Sequence, residues 1–486
     1  MMIKKISVFL IIAGLLATQL SGQDVWNLQR TVEYALQNNI SVKQANLSSQ
    51  QAELDFRLNR TGVYPTASFN NNWNMSFGRR ENPNTGIFEN TNALISSFQF
   101  SSSANIFNFY NQRNTIAAAR YQVAATRATE EKAKNDIALR VVNAYLLALQ
   151  AKEQVKVNEA QIKLDQEQLQ VTRYRVDAGA LPELNAAEIE AQLARDSSNL
   201  VSSISNRELQ LLQLKAILNL DAGAPFDVET PATENMRVEN LVDLQPEVVY
   251  QLALTNLPQQ RINDFNMKVA EKRRDAARGA MYPSLGGFVG LSSSFFAPLQ
   301  TSIPGTLPSG EQQTGLFARN GTLTFPVYSP TFTGKTVNRP FGQIFNGFGS
   351  QLNQQFGQSV GIGISVPLFN GSQARTNWNR AKLTLKNVQF QKELDNQTLK
   401  QDIYTAYNNA VSALQLHRSS LKAVETAQRS YELAKKRYDA NLLSSFELIT
   451  NQNNLFRAQI DLLLARYDYL FKIKLLEFYK GQGLRF

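Results

Sequence analysis

The chain has 486 residues, no cysteine and one histidine (His417), with 43% apolar residues, 19% charged residues and a formal charge of +10. That composition can support a folded core. It excludes disulfide frameworks, thiol nucleophiles, Cys/His zinc sites and lipid attachment at cysteine, and a Ser-His-Asp device would rest on one residue. Lys and Arg alternate with Asp and Glu without forming a basic block, so the positive balance reads as solvated helix faces and no nucleic-acid partner is expected.

Residues 1–22 open with Lys4-Lys5, continue through an apolar stretch at 6–20 and end in Ser21-Gly22. This is the layout of a cleaved secretory signal peptide and predicts an exported protein. No later stretch reaches 18 apolar residues, so no membrane-spanning helix is expected in the mature chain.

The remainder repeats itself. Ala35-Leu36, Ala52-Glu53, Arg60 and Tyr64-Pro65 recur 218 residues later at Ala253-Leu254, Ala270-Glu271, Arg278 and Tyr282-Pro283. Phe107-Asn108, Ala144-Tyr145 and Asp177-Ala178 recur 262 residues later at Phe369-Asn370, Ala406-Tyr407 and Asp439-Ala440. The two registers differ by 44 residues, so one insertion separates Pro283 from Phe369. A period this long is a duplication and not a short-period solenoid. The reading is a first repeat over 23–220, an equatorial linker over 221–245 and a second repeat over 246–486.

Each copy reads helix, strand, strand, very long helix, tip, return helix. Residues 66–77 alternate, with Ala67, Phe69, Trp73, Met75 and Phe77 on one face and Thr, Ser and Asn on the other; Asn71 breaks the apolar face. Residues 98–107 and 284–295 alternate more weakly. Residues 356–368 alternate Val, Ile and Leu with Gly and Ser. These lengths suit tilted transmembrane β-strands, and their polar faces carry no charge. Between the two second-copy strands, residues 296–355 read as a long external loop. Residues 109–176 and 372–438 contain neither proline nor glycine, enough for helices of about 100 Å. Alanines such as Ala144, Ala148 and Ala151 keep heptad spacing, which means close lateral packing of rods. His417 falls on that seam, where a packed histidine is the expectation. The rods turn at tips over 177–184 and 439–446, with Gly179 and Asn441 at the same repeat position.

Four strands cannot close a barrel, and open edges are not tolerated in lipid. Two chains give eight strands with a filled interior, whereas three give twelve and an aqueous lumen. The expected fold is an α+β membrane protein. Its duplicated strand-strand-long-helix-helix units form, as a homotrimer, a 12-stranded transmembrane β-barrel continued by a long periplasmic α-helical barrel.

Tyr282-Pro283 before a strand, residues 366–371 (Val-Pro-Leu-Phe-Asn-Gly) entering a long helix, and residues 437–448 around the second tip resemble the TolC-type outer membrane efflux family over essentially the whole mature chain. The resemblance implies a passive channel-tunnel joined to an inner-membrane transporter through a periplasmic adaptor, exporting drugs or toxic compounds. It implies adaptor docking at Gly179, Ala180, Leu181, Asn441, Leu442 and Leu443. It also implies a periplasmic gate using Tyr438 and Glu447, with Asp177, Asp439 and Glu183 as further acids. The family's first-tip acid is Asn185 here, a second acid beyond Glu447 is Thr450, and a gate arginine is Leu443. A type I protein secretion duct or a metal-efflux duct of the same fold stays open, as does a pore-free coiled-coil scaffold or adhesin. No enzyme, cofactor or metal constellation is legible.

Overall fold

The computed structural model describes residues 25–81, 86, 88–230, 240–303, 308–332, 334–440 and 442–481. The expected signal peptide, residues 231–239 of the expected linker, and Asn441 lie outside the described residues.

In chain order the first copy begins with β1 (Val25–Trp26), α1 (Leu28–Asn38) and α2 (Ile40–Thr61), then β2 (Thr66–Ser76). It continues with a short hairpin, β3 (Arg79–Glu81) and β4 (Phe88–Asn90), then β5 (Ala93–Phe107), α3 (Asn111–Asp177) and α4 (Glu183–Leu218). After β6 (Asp227–Val228) and a 3-10 turn (Leu241–Leu244) come α5 (Pro246–Asn256), α6 (Pro258–Gly279) and β7 (Ser284–Pro298). Next are β8 (Gln300–Ile303), β9 (Pro308–Asn320), β10 (Leu323–Phe332) and β11 (Lys335–Asn338). The chain closes with α7 (Phe341–Ile344), α8 (Phe348–Gln354), β12 (Gly357–Ser365), α9 (Gln373–Asp439) and α10 (Ser445–Lys480).

The helices recur at identical lengths in the two copies. α1 and α5 have 11 residues, and α2 and α6 have 22. α3 and α9 have 67, and α4 and α10 have 36. The duplication extends to backbone strain. Phe109 and Tyr110 both take positive φ at the entry to α3, as do Gly371 and Ser372 at the entry to α9. Two successive left-handed residues turn the strand sharply into the rod, a conformation that costs non-glycine residues free energy. Phe109 is held there by stacking on Tyr282 at 4.1 Å between ring centroids.

The chain divides into two compact units. The sheet unit comprises Arg57–Ile116 and Arg273–Arg380. Its centre is one antiparallel sheet in the order β12-β7-β5-β2. The register sorts side chains onto two faces. One carries Phe69, Trp73 and Met75 of β2, Phe98 and Phe100 of β5, and Val360, Ile362 and Ile364 of β12. The other carries mostly Asn, Ser and Gly, with Phe288 and, at one end, Ile95 and Phe296 as apolar exceptions. Asn71, the polar residue on the apolar face, donates its side-chain amide to Ser96 Oγ at 3.0 Å, so its hydrogen-bonding need is met inside the sheet. The Phe288 ring covers Gly361: a Cβ there would lie 2.6 Å from the ring.

Residues 296–355 are not the loop expected. β8 pairs with β11, β9 with β10, and α8 lies against β7. Phe348 stacks on Trp73 at 6.3 Å and Phe345 stacks on Phe295 at 6.2 Å, packing the insertion onto the sheet. β5 begins at Ala93, five residues before the alternation was legible. β12 stops at Ser365, because Pro367 has no N–H for the ladder.

The helical unit holds the remaining described residues and two apolar cores that mirror each other. One gathers Val141, Tyr145 and Leu149 of α3, Leu214 and Leu218 of α4, and Trp26. The other gathers Ile403, Ala406 and Ala410 of α9, Val249 and Ala253 of α5, and Leu476 of α10. Ala148 and Ala410, at matching repeat positions, are both fully buried; a methyl group there lets rods approach closely. Part of the expected linker is folded onto this unit. β6 pairs in parallel with β1, Tyr145 Oη donates to Glu229 O at 2.8 Å, and Lys152 pairs with Asp227 at 2.7 Å.

Candidate functional site

The first tip is closed by a left-handed glycine. Gly179 has φ +73°, and Ala180 N donates to Arg175 O at 2.8 Å. The second tip repeats the closure, with Leu442 N donating to Arg437 O at 2.8 Å. Such bonds satisfy the carbonyls orphaned at a helix end. The tips differ in how the return helix is capped. Ser444 and Glu447 form a reciprocal capping box at the start of α10. Pro182 gives α4 no side-chain cap, and the residue matching Glu447 is Asn185.

Tyr438 is buried at 5% exposure. Its hydroxyl lies 3.2 Å from Thr172 Oγ1 of α3, and the Arg175 guanidinium sits 6.0 Å from its ring centroid. Arg175 also pairs with Asp439 at 3.6 Å. Four side chains thus clasp the end of α3 to the end of α9. Below them lies an apolar plug of Tyr431, Ala434, Leu448 and Leu455, against which Leu181 and Leu443 pack. Among the tip residues expected to meet an adaptor, Gly179, Ala180 and Leu442 are exposed, with Leu442 at 69%. Leu181 and Leu443 turn inward. Asp177, Asp439, Glu183 and Glu447 are all exposed at helix ends. The structure brings Tyr438 and Asp439 together through Arg175. Glu447 is engaged in its capping box, and Asp177 and Glu183 stand outside the clasp.

Farther along the rods lies a buried polar layer that periodicity did not reveal. Asp165 of α3, at 2% exposure, accepts from Gln161 at 3.0 Å and from Gln452 of α10. Asp196 of α4 faces the Asp165 carboxyl and accepts from Gln192 at 2.8 Å. Gln192 in turn donates to Asn453 at 3.0 Å. Burial, then the facing Asp196, pushes the Asp165 carboxyl up to about 8: two carboxyl groups in contact away from water cannot both ionise and share a proton. Thr172, Arg175, Asp165 and Asp196 were invisible in the sequence because their partners lie on other helices. The only hint was charge or hydroxyl where the rods' packing stripe passes.

His417 is half-buried beside Tyr469, ring centroids 6.0 Å apart. Among the described residues no group of three or more His, Asp or Glu side chains is placed to hold a metal ion, and no helix is long and apolar enough to cross a membrane.

The chain thus combines a duplicated set of long rods with a four-stranded antiparallel sheet that has one apolar face and one uncharged, mostly polar face. The profile of the family described as outer membrane efflux protein matches residues 31–220 and 346–479, more than half of the chain. The chain belongs to that family. It is similar to the alkaline protease secretion protein AprF of Pseudomonas aeruginosa, at 23% identity over 75% of this chain and 66% of the relative, slightly less than two thirds of its length. It is also similar to the outer membrane protein TolC of Escherichia coli, at 21% identity over 91% of this chain and 80% of the relative. The crystal structure of the CmeC outer membrane channel of Campylobacter jejuni shares the fold, with a TM-score of 0.71, 17% identity, and coverage of 94% of this chain and 86% of that one.

Proposed function

We propose that three copies of this chain form a passive channel-tunnel in the outer membrane. It conducts drugs or other toxic compounds outward from an inner-membrane transporter coupled to it by a periplasmic adaptor. The observation that carries this reading is the sheet. β12 and β2 are its two open edges, and unpaired backbone groups in hydrocarbon cost several kcal/mol each, so the strands must find partners on other copies. The face of Asn, Ser and Gly supplies a wettable, uncharged wall suited to cargo of varied charge. A conduit of this kind makes and breaks no bonds; the transporter provides the energy.

Family membership supports the outer membrane location and the tripartite arrangement. Adaptor docking falls on the tip turns, Gly179 to Leu181 and Asn441 to Leu443, where Leu442 offers an exposed apolar anchor. The gate reading rests on Tyr438, with Glu447, Asp177, Asp439 and Glu183 near the tips. Loosening the Tyr438–Thr172 contact frees α9 from α3 and lets the rods splay.

Protein extracted in mild detergent should migrate as a trimer and carry ion current in planar bilayers; a monomer without current overturns the reading. Tyr438→Phe combined with Glu447→Gln should raise single-channel conductance, and an unchanged conductance removes the gate role. The similarity to AprF favours a second reading, a duct for a secreted protein. Deleting the gene separates the two, through lost drug tolerance on one side and a missing extracellular protein on the other.

A further inference from the structure

A groove of about 980 Å³ runs between α3, α9 and α10, near the top of the range for small-molecule sites, roughly 300–1,000 Å³. It is separate from the tip turns and from the sheet. Its lining extends along α10 from Gln452 to Leu470, about 27 Å of helix. Much of it is aliphatic, including Leu164, Leu421, Leu455, Leu462 and Leu463. Its charge is one-sided: Lys156, His417 and Arg466 line it, and no carboxylate does. Lys156 is engaged by Glu153 at 2.6 Å, whereas Arg466 has no ion pair among the described residues.

The groove also has a head and a tail. Asp165 meets Gln452, while Tyr145 and Tyr467 share one core, so α3 and α10 run antiparallel. Lys156 therefore lies midway along the groove, whereas Arg466 lies toward the end away from Gln452, and His417 sits at that end beside Tyr469. A long apolar trough with Arg466 and His417 at one end matches a molecule with a hydrocarbon body and one acidic end.

From this lining we infer that the groove binds a single-chain amphipathic organic anion, a long-chain carboxylate, with its acid group against Arg466 and His417 and its chain along the leucines. The site does not depend on the channel reading. His417 gives it a pH signature. Burial, then Arg466 and Arg418, holds the imidazole below its ordinary range. The groups facing or flanking it are Arg466 and Tyr469 of α10 and Arg418 on its own helix. A bound carboxylate opposes that positive field and raises the proton affinity of His417, so binding tightens as pH falls through the imidazole's titration.

The probe is laurate, titrated calorimetrically into the full-length protein held in amphipol to avoid detergent competition. The expected result is one laurate per chain, with affinity gaining about fourfold per methylene from decanoate to laurate. Arg466→Gln should weaken binding about tenfold, and Lys435→Gln should leave it unchanged. No saturable binding, or equal binding to wild type and Arg466→Gln, overturns the proposal. Because the chain has no cysteine, Leu462→Cys gives an independent readout. A polar maleimide should label it in the assembled protein, and laurate should protect it. A thiol already protected without laurate means that a neighbouring copy fills the groove, which also overturns the proposal.

Discussion

The raised Asp165 carboxyl beside the buried Asp196 is the signature of one proton shared by two carboxyl groups, and this fixes the sign of a pH effect. The folded-state value of Asp165 is raised to about 8 from 3.8. The stability it contributes is therefore complete below the unfolded value and is lost as pH rises from about 4 through 8. The α3, α4 and α10 contact should loosen over that window. Asp165→Asn keeps the geometry: its carbonyl can accept from Gln161 and Gln452, and its amide can donate to Asp196 in place of the shared proton. The substitution should flatten the pH dependence and stabilise the protein at pH 8 by about 1–2 kcal/mol, read as a higher thermal midpoint. A steeper loss of stability above pH 7 in the variant refutes the shared proton. Tyr438 was legible because its place before a tip is a pattern along the chain. Thr172 lies 266 residues away, and no local pattern announces a contact across that distance.

At the scale of elements, the rods and β2 were legible because their signals are long and regular. Residues 109–176 lack both helix breakers, and the Thr66 strand alternates without interruption on its polar face. The insertion was not legible, because proline and glycine interrupt it. β10 contains Pro326 and Pro330, which argue against a strand in a buried sheet but are tolerated in a two-stranded ribbon whose outer edges are free. α8 holds two turns against β7 through Phe348, an aromatic contact that hydrophobic periodicity cannot register. The Phe288–Gly361 pair is similar: Phe288 reads as an exception to the polar face, and only the register shows it covering Gly361. Gly361→Leu should force the ring off the strand and weaken the β7–β12 pairing. The expected outcome is a lower yield of the heat-modifiable, folded form on cold gel electrophoresis, by roughly tenfold for a clash worth about 1.5 kcal/mol. Gly363, with nothing near its missing Cβ, is the matched control, and Gly363→Ala should fold as the wild type does. Equal yields for both variants would mean that the ring is free to move.

For the whole molecule, the decisive number is the count of staves. β12 and β2 run antiparallel to each other, since four antiparallel strands put the first and last in opposite directions. The β12 edge of one copy can therefore meet the β2 edge of the next without breaking the alternation, for any number of copies. Width decides among the closures. Two copies make eight strands, an interior filled by side chains, whereas three make twelve and leave room for water. The polar face favours the larger ring, because Gly, Ser and Asn are too small to fill a core and too polar to form a dry one. A chain without native cysteine allows a direct count. One cysteine in β2, at Ser68, Asn70 or Asn72, is combined with one in β12, at Ser359 or Gly363. In at least one combination, oxidation should link neighbouring copies across the seam, since facing strands bring Cβ atoms within disulfide reach. On a denaturing gel the products should climb from monomer to dimer to trimer and stop. A ladder ending at the dimer leaves no lumen and removes the conduit, and one running past the trimer means an open array in place of a closed wall.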